Sequence, residues 1–278
     1  GYGSPRTFVI GMKVVLADGK TCKAGGRVVK NVAGYDLCKL FTGSYGTLGV
    51  VCEVTFKLRP RPAKETTISA RGSLRSVFAA GWSVYEAGLF PVALELLSPL
   101  RDCSGVVTSP DEVQLLIRFA GIEKTVDHQV ARATELLHRS ALRDVDIVSD
   151  DRQIWRNLQL APMANSLGLS YRISVKPSQV HRMIESVIEY ADRETVWQAG
   201  VSDGRIRVMH NDKAAANSQT LIALRTAAEA LGGSLIIEHV PARSKSEVDA
   251  WGALPATKLM ASIKQELDPA GLLSPGRF

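Results

Sequence analysis

Cysteine, histidine and long apolar runs are scarce in this chain, and each scarcity excludes a class of protein. The sequence holds 4 cysteines and 5 histidines. So few cysteines cannot form a disulfide scaffold, and neither residue type shows the spacing of a zinc site. We therefore expect reduced cytosolic thiols and no bound metal. No window approaches the roughly 20 apolar residues of a membrane span, and no signal peptide is visible.

The chain also lacks any segment in which charged residues of one sign are concentrated. Lys and Arg number 34 against 28 Asp and Glu, which gives a net charge of +6 that is scattered along the chain. Because a scattered excess of this size is weak evidence for nucleic-acid binding, we expect none. The apolar content of 45% is typical of a globular protein with one large or two modest cores. Since the chain starts at Gly1 rather than Met, we expect a piece of a longer protein.

Residues 1–61 are rich in glycine and β-branched residues. Ten of the 23 glycines lie at or before position 49, which favours turns and short strands. Asp18-Gly19 predicts a hairpin, and the alternation from Val50 to Leu58 predicts a half-buried strand. Pro60 and Pro62 end that strand because proline cannot donate to a strand ladder, so we place a domain boundary after residue 61.

Residues 62–247 change to strands that alternate with amphipathic helices. Between 73 and 240 the pattern predicts about six strands and four helices. Asp203-Gly204 predicts a hairpin, so the sheet is at least partly antiparallel. We therefore predict an α+β domain with a ferredoxin-like layer of helices on a sheet, without an evident internal repeat. Residues 248–278 form a third segment, with a helix over 255–267 and a turn-rich terminus.

The most informative stretch is the glycine loop, Gly43-Ser44-Tyr45-Gly46-Thr47-Leu48-Gly49, which leads directly into the predicted strand. Glycines let backbone N–H groups approach phosphate oxygens or flavin carbonyls without an intervening Cβ. Rossmann and Walker loops instead run from strand to helix, and neither GxGxxG nor GxxxxGK[ST] is present, so NAD and Walker-type ATP sites are disfavoured. The alternative is a tight bend ahead of a strand.

Polar residues precede this loop. Asn31, Tyr35 and Asp36 lie among small residues, ahead of or at the start of a helix predicted over 35–41. Their side chains could bind a ligand, or Asn31 and Asp36 could simply cap the helix.

Taken together, residues 30–58, KNVAGYDLCKLFTGSYGTLGVVCEVTFKL, resemble the second half of the FAD-binding domain of the vanillyl-alcohol oxidase/PCMH-type flavoprotein superfamily. The Lys-Asn before Ala-Gly-Tyr-Asp is similar to the FAD-binding subunits of bacterial glycolate oxidases. The resemblance is strong over 1–60 and 248–278 and weaker between them. It implies that 1–61 is the C-terminal half of the FAD domain, 62–247 the α+β cap or substrate domain, and 248–278 a helix and tail returning to the FAD domain.

The resemblance also implies a set of FAD-binding residues: Asn31, Gly34, Tyr35, Asp36, Gly43, Ser44, Gly46, Thr47, Gly49 and Val50. Ser274 stands where related chains usually have Asn before Pro-Gly, which puts a side-chain contact there in doubt. Nothing in the chain matches the Pro- and Gly-rich pyrophosphate loop of the superfamily's front half. We therefore expect this stretch alone to hold FAD weakly or not at all.

The implied activity is oxidation of a 2-hydroxy acid such as glycolate to a 2-oxo acid, with FAD as the hydride acceptor. The implied partners are a second flavin subunit and an iron–sulfur subunit, which could bring a cytoplasmic protein to the inner face of the membrane. Two alternatives stay open. One is another oxidoreductase of the superfamily, acting on lactate or an alditol. The other is a docking subunit that no longer binds FAD.

The sequence names no catalytic base. His210 and His239 are the histidines nearest to the relevant predicted strands, and His239 is interpreted as structural because it follows an apolar strand. Several arginines could offer a bidentate fork to a substrate carboxylate, although most are expected to face water. They are Arg101, Arg118, Arg172, Arg205 and Arg207.

Overall fold

The structure, a computed structural model, describes residues 2–28, 35–99, 112–148, 150–160, 167–190, 195–211, 218–241, 248–253 and 256–277. In chain order its elements are α1 (Pro5–Phe8), β1 (Val9–Val15), β2 (Thr21–Gly25), α2 (Leu37–Phe41), β3 (Val50–Phe56), β4 (Lys64–Gly72), α3 (Leu74–Glu86), β5 (Ala93–Leu97), β6 (Val113–Gly121), α4 (Glu123–His138), β7 (Arg143–Val148), α5 (Arg152–Leu160), β8 (Leu167–Ser174), α6 (Val180–Tyr190), β9 (Val196–Gly200), β10 (Arg205–Asn211), α7 (Ser218–Ala230), β11 (Ser234–His239) and α8 (Thr257–Leu267). The chain divides into a larger unit, Pro62–Gly252, and a smaller unit, Tyr2–Arg61 with Ala253–Phe278.

The smaller unit is built on an antiparallel sheet of order β2-β1-β3. Asp18 accepts a hydrogen bond from the backbone N–H of Lys20 in the β1–β2 turn, and Gly19 there has φ +79°, as an Asp-Gly hairpin requires. Helix α8 packs on the same core as the sheet. The buried members of that core are Met12, Val14, Ala24, Cys38, Phe41 and Leu48.

The larger unit is an antiparallel sheet of eight strands in the order β11-β8-β10-β9-β5-β6-β4-β7. It contains two copies of one βαββαβ arrangement, β4-α3-β5-β6-α4-β7 and β8-α6-β9-β10-α7-β11. The copies join through β5 and β9, so the strand order runs symmetrically outward from that junction. The α+β fold class is confirmed. The repeat is not evident in the sequence because the two copies need only the same spacing of apolar residues. Different residue types satisfy that spacing, so the two copies need not share residue identities.

The main core lies between the sheet and helices α3, α4, α6 and α7. On β6, Leu115 and Ile117 face these helices, whereas Leu116 and Arg118 point to the opposite face. Helix α5 covers part of that opposite face, where Trp155 joins a separate small core with Leu116. The two faces of the sheet therefore have different roles, one as the core and one as a partly open surface.

Two elements differ from the sequence-based expectation. Strand β4 was not predicted, because it reads KETTISARG and lacks an apolar run. Its Thr67 and Arg71 are nevertheless buried, which period-2 hydrophobicity cannot detect. Strand β3 was predicted to be half-buried. It has no buried residue, because it is an edge strand that pairs with β1 alone among the described strands and borders a cavity.

Candidate functional site

A cavity of about 630 Å³ lies in the smaller unit, beside the glycine loop. Its walls come mainly from the loop after α2, strand β3 and the C-terminal tail after α8, with further residues from α1, β1 and α2. Its volume lies in the range of about 300–1,000 Å³ that is typical of ligand pockets. The lining residues are Pro5, Val9, Met12, Phe41, Thr42, Gly43, Ser44, Tyr45, Gly46, Gly49, Val50, Val51, Val54, Phe56, Leu272, Leu273 and Ser274.

The three loop glycines are required for three different reasons. Gly43 has φ +89° and open space around the position of a Cβ, so its conformation alone calls for glycine. Gly46 has φ +74°, and a Cβ there would lie 3.1 Å from the Ser274 Oγ of the tail. Gly49 faces inward, because its Cβ would lie 2.3 Å from the Cγ1 of buried Val14. The loop therefore bares its backbone on the cavity side and closes against the core at its end.

The loop is tied to the C-terminal tail by one buried cluster. The Lys264 ammonium on α8 donates to the carbonyl oxygens of Thr47 (2.8 Å) and Leu273 (2.7 Å) and pairs with Asp268. Asp268 also accepts the backbone N–H groups of Leu272 and Leu273. Burial opposes ionisation of Asp268, but the Lys264 ammonium and these N–H donors lower its pKa to about 2. This cluster fixes the tail against the loop, and the sequence carries no local signal for it because Lys264 and Thr47 are 217 residues apart.

Five of the residues predicted to bind FAD line the cavity, namely Gly43, Ser44, Gly46, Gly49 and Val50. Thr47 does not. Its side chain is buried and its hydroxyl donates to the Ser44 carbonyl oxygen at 2.7 Å, so it holds the loop in shape. Strand β3 forms another part of the cavity wall, and its side chains Val54 and Phe56 are exposed there. Apolar residues at alternate positions of this strand are the sequence signal that could have indicated this part of the wall.

Of the predicted residues ahead of α2, the structure describes Tyr35 and Asp36, and neither lines this cavity. Asp36 caps α2 by accepting the Lys39 backbone N–H at 3.3 Å, and it pairs with the Lys39 ammonium, which lowers the pKa of Asp36. Tyr35 is almost fully exposed. Asn31 and Gly34 lie outside the described residues. A role in FAD binding for these four residues stays a prediction.

The cavity fits part of an FAD molecule. None of its described lining residues carries a charged side chain. Bare loop backbone and exposed valine and phenylalanine side chains suit a planar, partly apolar ring system with carbonyl groups at its edge. A pyrophosphate would need cationic or N–H-rich groups beyond this wall, in agreement with the missing match to a pyrophosphate loop.

The histidines of the larger unit do not form a catalytic centre with each other. His210 is buried between the Tyr171 hydroxyl (3.2 Å) and the Thr195 hydroxyl (3.3 Å), so it has a structural role. His239 lies exposed at the end of β11, and Ser170 is opposite it on β8. Within the described part of the chain, no group of three or more His, Cys, Asp or Glu residues could hold a metal ion.

The arginines that were expected to face water are mostly paired on the face of the sheet opposite the main core. Arg118 donates to both carboxylate oxygens of buried Asp151 at 2.9 Å, under Trp155. Arg205 pairs with Asp203, and Arg172 and Arg207 both pair with Glu238. Arg101 lies outside the described residues. Asp151 engages the Nε and one Nη group of Arg118 in a buried ion pair, so we interpret this side chain as structural rather than as a substrate fork.

The chain resembles curated proteins over its whole length. The sequence pattern of a family described as "FAD linked oxidases, C-terminal domain" matches residues 61–278. The chain is 27% identical to glycolate oxidase subunit GlcD of Bacillus subtilis (strain 168) over 100% of this chain and 64% of that protein. It is 29% identical to glycolate oxidase subunit GlcE of Escherichia coli (strain K12), over 99% and 66%. A D-2-hydroxyglutarate dehydrogenase of Xanthomonas citri is 27% identical, over 100% and 64%. The chain therefore spans 64–66% of the length of these relatives, slightly less than two thirds.

Solved structures share the fold. The crystal structure of p-cresol methylhydroxylase with substrate bound superposes with a TM-score of 0.69 at 17% identity, over 98% of this chain and 65% of that one. A 4-ethylphenol oxidase from Gulosibacter chungangensis gives a TM-score of 0.65 at 14% identity, over 97% and 65%. These likenesses establish the PCMH-type fold alone. None of the helices in the described residues is long and apolar enough to cross a membrane.

Proposed function

We propose a function on the premise that this chain belongs to the family of FAD linked oxidases, whose C-terminal domain it carries over residues 61–278. FAD is the cofactor of that family. The protein that contains this chain is an FAD-dependent oxidoreductase that oxidises a 2-hydroxy acid to a 2-oxo acid. The names of its relatives support this substrate class, since they include glycolate oxidase subunits and D-2-hydroxyglutarate dehydrogenases.

The observation that carries the proposal is the cavity of about 630 Å³ walled by the glycine loop and β3. In this assignment the backbone from Gly43 to Gly46 binds polar edges of FAD, and Val50, Val54 and Phe56 contact its apolar surface. The bound FAD supplies a two-electron oxidant. Lys264 keeps the wall rigid by holding the loop and the tail together.

Flavin retention by the full-length protein tests the cofactor assignment. We expect the purified protein to show flavin absorbance bands. Val54→Glu, which places a charge in the apolar wall, should lose at least nine tenths of that flavin, because burying an unpaired carboxylate against a ring system is costly. Leu58→Glu is the matched control, since Leu58 is 85% exposed and outside the cavity wall. Equal flavin content in both variants would refute this location of the site.

Anaerobic bleaching of the flavin tests the substrate class. We expect glycolate, D-lactate or D-2-hydroxyglutarate to bleach the oxidised flavin bands, while acetate, which has no hydroxyl group, leaves them unchanged. Bleaching by an alditol and by none of the hydroxy acids would favour the alternative oxidoreductase. A flavin-free protein that still binds partner subunits would favour the docking role.

We further propose that the protein works as a subunit of a glycolate oxidase-like complex, with a second flavin subunit and an iron–sulfur subunit as partners. Two relatives are named as different subunits, GlcD and GlcE, of glycolate oxidase, which supports a multi-subunit enzyme. Affinity purification from the native organism tests this proposal. Recovery of the protein by itself, with full turnover, would contradict it.

A further inference from the structure

The glycine loop and the C-terminal tail meet at two residues with unusual backbone conformations. Three non-glycine residues of the described chain have a positive φ, namely Tyr45 (+55°), Asp144 (+50°) and Ser274 (+44°). Such φ values are uncommon for residues with a Cβ, and they persist only where the surrounding structure holds them. Asp144 belongs to strand β7 of the larger unit, whereas Tyr45 and Ser274 are hydrogen-bonded to each other in the smaller unit. Two of the three strained positions therefore share one contact, and both line the cavity.

Three consecutive carbonyl oxygens of the loop accept hydrogen bonds from the tail and from α8. The Ser274 hydroxyl donates to the carbonyl oxygens of Tyr45 and Gly46, at 3.3 Å each, and the Lys264 ammonium donates to that of Thr47. A trans peptide group points its C=O and its N–H in opposite directions. The bond from Ser274 to the Tyr45 carbonyl therefore turns the N–H of Gly46 away from the Ser274 side chain.

The N–H of Gly46 is left without an acceptor in this arrangement. Within the loop, the N–H groups of Ser44 and Thr47 donate to the carbonyl oxygens of Phe41 (3.2 Å) and Ser44 (3.0 Å). The N–H of Gly46 makes no hydrogen bond to any residue that the structure describes. Gly46 is exposed and lines the cavity, so this N–H is open to a ligand. A donor without an internal partner in a pocket wall suits an acceptor atom of the bound molecule.

The tail also holds the side chain of Tyr45. The guanidinium carbon of Arg277 lies 4.9 Å from the centre of the Tyr45 ring, within the range of a cation–π interaction. Tyr45 is 49% exposed, so the core of the smaller unit does not enclose its ring. The tail therefore contacts Tyr45 at two points, the carbonyl group through Ser274 and the ring through Arg277.

We propose that Ser274 and Arg277 are positioning residues of the cofactor site. They hold Tyr45 in its left-handed conformation and thereby present the N–H of Gly46 to a carbonyl oxygen or ring nitrogen of FAD. This inference rests on the proposed function for the identity of the cofactor. Neither tail residue needs to touch FAD, because each acts through Tyr45. The loop supplies the donor, and the tail supplies the conformation in which that donor is available.

Titration of FAD into the full-length apoprotein, followed by flavin fluorescence, tests the role of Ser274. We expect Ser274→Ala to weaken FAD binding roughly 3- to 10-fold, the effect of one lost hydrogen bond. Ser274→Asn should stay within about 2-fold of the wild type, because Asn tolerates a positive φ and its amide group carries two N–H donors for the carbonyl oxygens.

The matched control for Ser274 is Ser262→Ala. The Ser262 hydroxyl bonds only to the Lys258 carbonyl oxygen within α8 among the described residues, so its removal should leave FAD affinity unchanged. Wild-type affinity in Ser274→Ala would overturn the role of Ser274. A loss in Ser274→Asn as large as the loss in Ser274→Ala would overturn it as well.

A double-mutant cycle tests whether Arg277 acts through Tyr45. Arg277→Met should weaken FAD binding about 2- to 5-fold, the effect of one exposed cation–π interaction. Tyr45→Asn removes the ring and relieves the strain, since Asn adopts the left-handed conformation more readily. In the Tyr45→Asn background, Arg277→Met should therefore leave the affinity unchanged. An equal loss in both backgrounds would mean that Arg277 contacts FAD directly, which contradicts the proposal. Lys258→Met, which removes an exposed cation outside the cavity wall, is the control for lost charge.

Hydrogen exchange at single amides of the full-length protein tests the donor itself. In the apoprotein, the N–H of Gly46 should exchange fast, whereas the N–H of Thr47 should exchange slowly because it binds the Ser44 carbonyl oxygen. Saturating FAD should slow the exchange at Gly46 by about 10-fold or more and leave Thr47 nearly unchanged. In Ser274→Ala this protection of Gly46 should be smaller. Exchange at Gly46 that stays fast in the FAD-bound wild type would refute the assignment of this donor.

Failure of this inference is distinguishable from failure of the proposed function. If the wild type binds FAD but the Ser274 and Arg277 variants bind it equally well, only the role of the tail is wrong. If the wild type binds no FAD in the titration and shows no flavin bands when purified, the cofactor assignment itself is wrong.

Discussion

The inward face of Gly49 gives the sharpest test of how the glycine loop is built. A Cβ at Gly49 would lie 2.3 Å from Val14 Cγ1, far inside the roughly 3.5–4.0 Å of a favourable carbon–carbon contact. Val14 is fully buried and cannot swing into solvent. We therefore expect Gly49→Ala to lower the stability of the smaller unit by about 1–3 kcal/mol through overpacking. Gly43→Ala should cost about 1–2 kcal/mol for a different reason, the strain of a positive φ with no steric contact.

A double-mutant cycle with Val14→Ala separates the two causes. Val14→Ala alone removes two buried methyl groups and should cost about 2–3 kcal/mol. In combination with Gly49→Ala it also removes the clash, so the pair should cost about 1–2 kcal/mol less than the sum of the single variants. Gly43→Ala and Val14→Ala share no contact and should add within about 0.5 kcal/mol.

Native-state hydrogen exchange at the amides of β1 is the assay of choice, because it reports the opening free energy of this unit locally. Tryptophan fluorescence does not report on it, since Trp82, Trp155, Trp197 and Trp251 all lie in the larger unit. The reasoning is refuted if Gly49 and Val14 prove additive, or if Gly43 couples to Val14 as strongly as Gly49 does.

Three further predictions concern charged groups. Because burial, followed by the charge of Asp203, raises the pKa of Glu95 from 4.5 to about 7, the stability it contributes is full below pH 4.5 and is lost as the pH rises through 7. Glu95→Gln should therefore be more stable than the wild type at pH 8, by up to about 3 kcal/mol, and thermal melts at pH 5 and pH 8 measure the difference. Arg118→Met leaves the Asp151 carboxylate buried without its cation and should lower the free energy of unfolding, measured in urea, by about 3–5 kcal/mol. Adding Asp151→Leu to the same chain should recover most of this loss. A double variant as unstable as Arg118→Met alone would contradict this account. Because the pKa of Asp268 is lowered, its stabilising effect is full above about pH 3.8 and disappears as the pH falls through 2. Lys264→Met should therefore raise the pH at which acid releases the tail, which limited proteolysis measures. An unchanged acid midpoint would argue against the Lys264 cluster.

Local signals predicted much of the architecture. The Asp18-Gly19 and Asp203-Gly204 turns identified both hairpins, because each needs a residue that tolerates positive φ at a fixed place in the turn. Helix α6 (Val180–Tyr190) is an example of the helices that the pattern predicts between 73 and 240, since its buried residues recur at helical spacing. Strand β4 escaped prediction because its polar Thr67 and Arg71 are buried by partners far away in sequence.

The candidate site was predictable in part for the same reason. The glycine spacing drew attention to Gly43 and Gly46, whose positive φ values are local properties. The sequence could not distinguish Gly49, which is fixed by the distant Val14, nor Lys264, whose partner Thr47 lies 217 residues away. Asp36 is an example of a local interaction that the sequence did predict. Helix capping was one of its two predicted roles, and in the structure Asp36 caps α2.

The amino-acid order alone determined most of the turns, strands and helices and the glycine spacing of the loop that we assign to FAD, because these depend on backbone preferences and side-chain periodicity over a few residues. The tertiary structure alone decided that Arg172, Arg207 and Glu95 lie on one face of the large sheet, because strand order and register bring together residues that the chain separates by 35 to 112 positions.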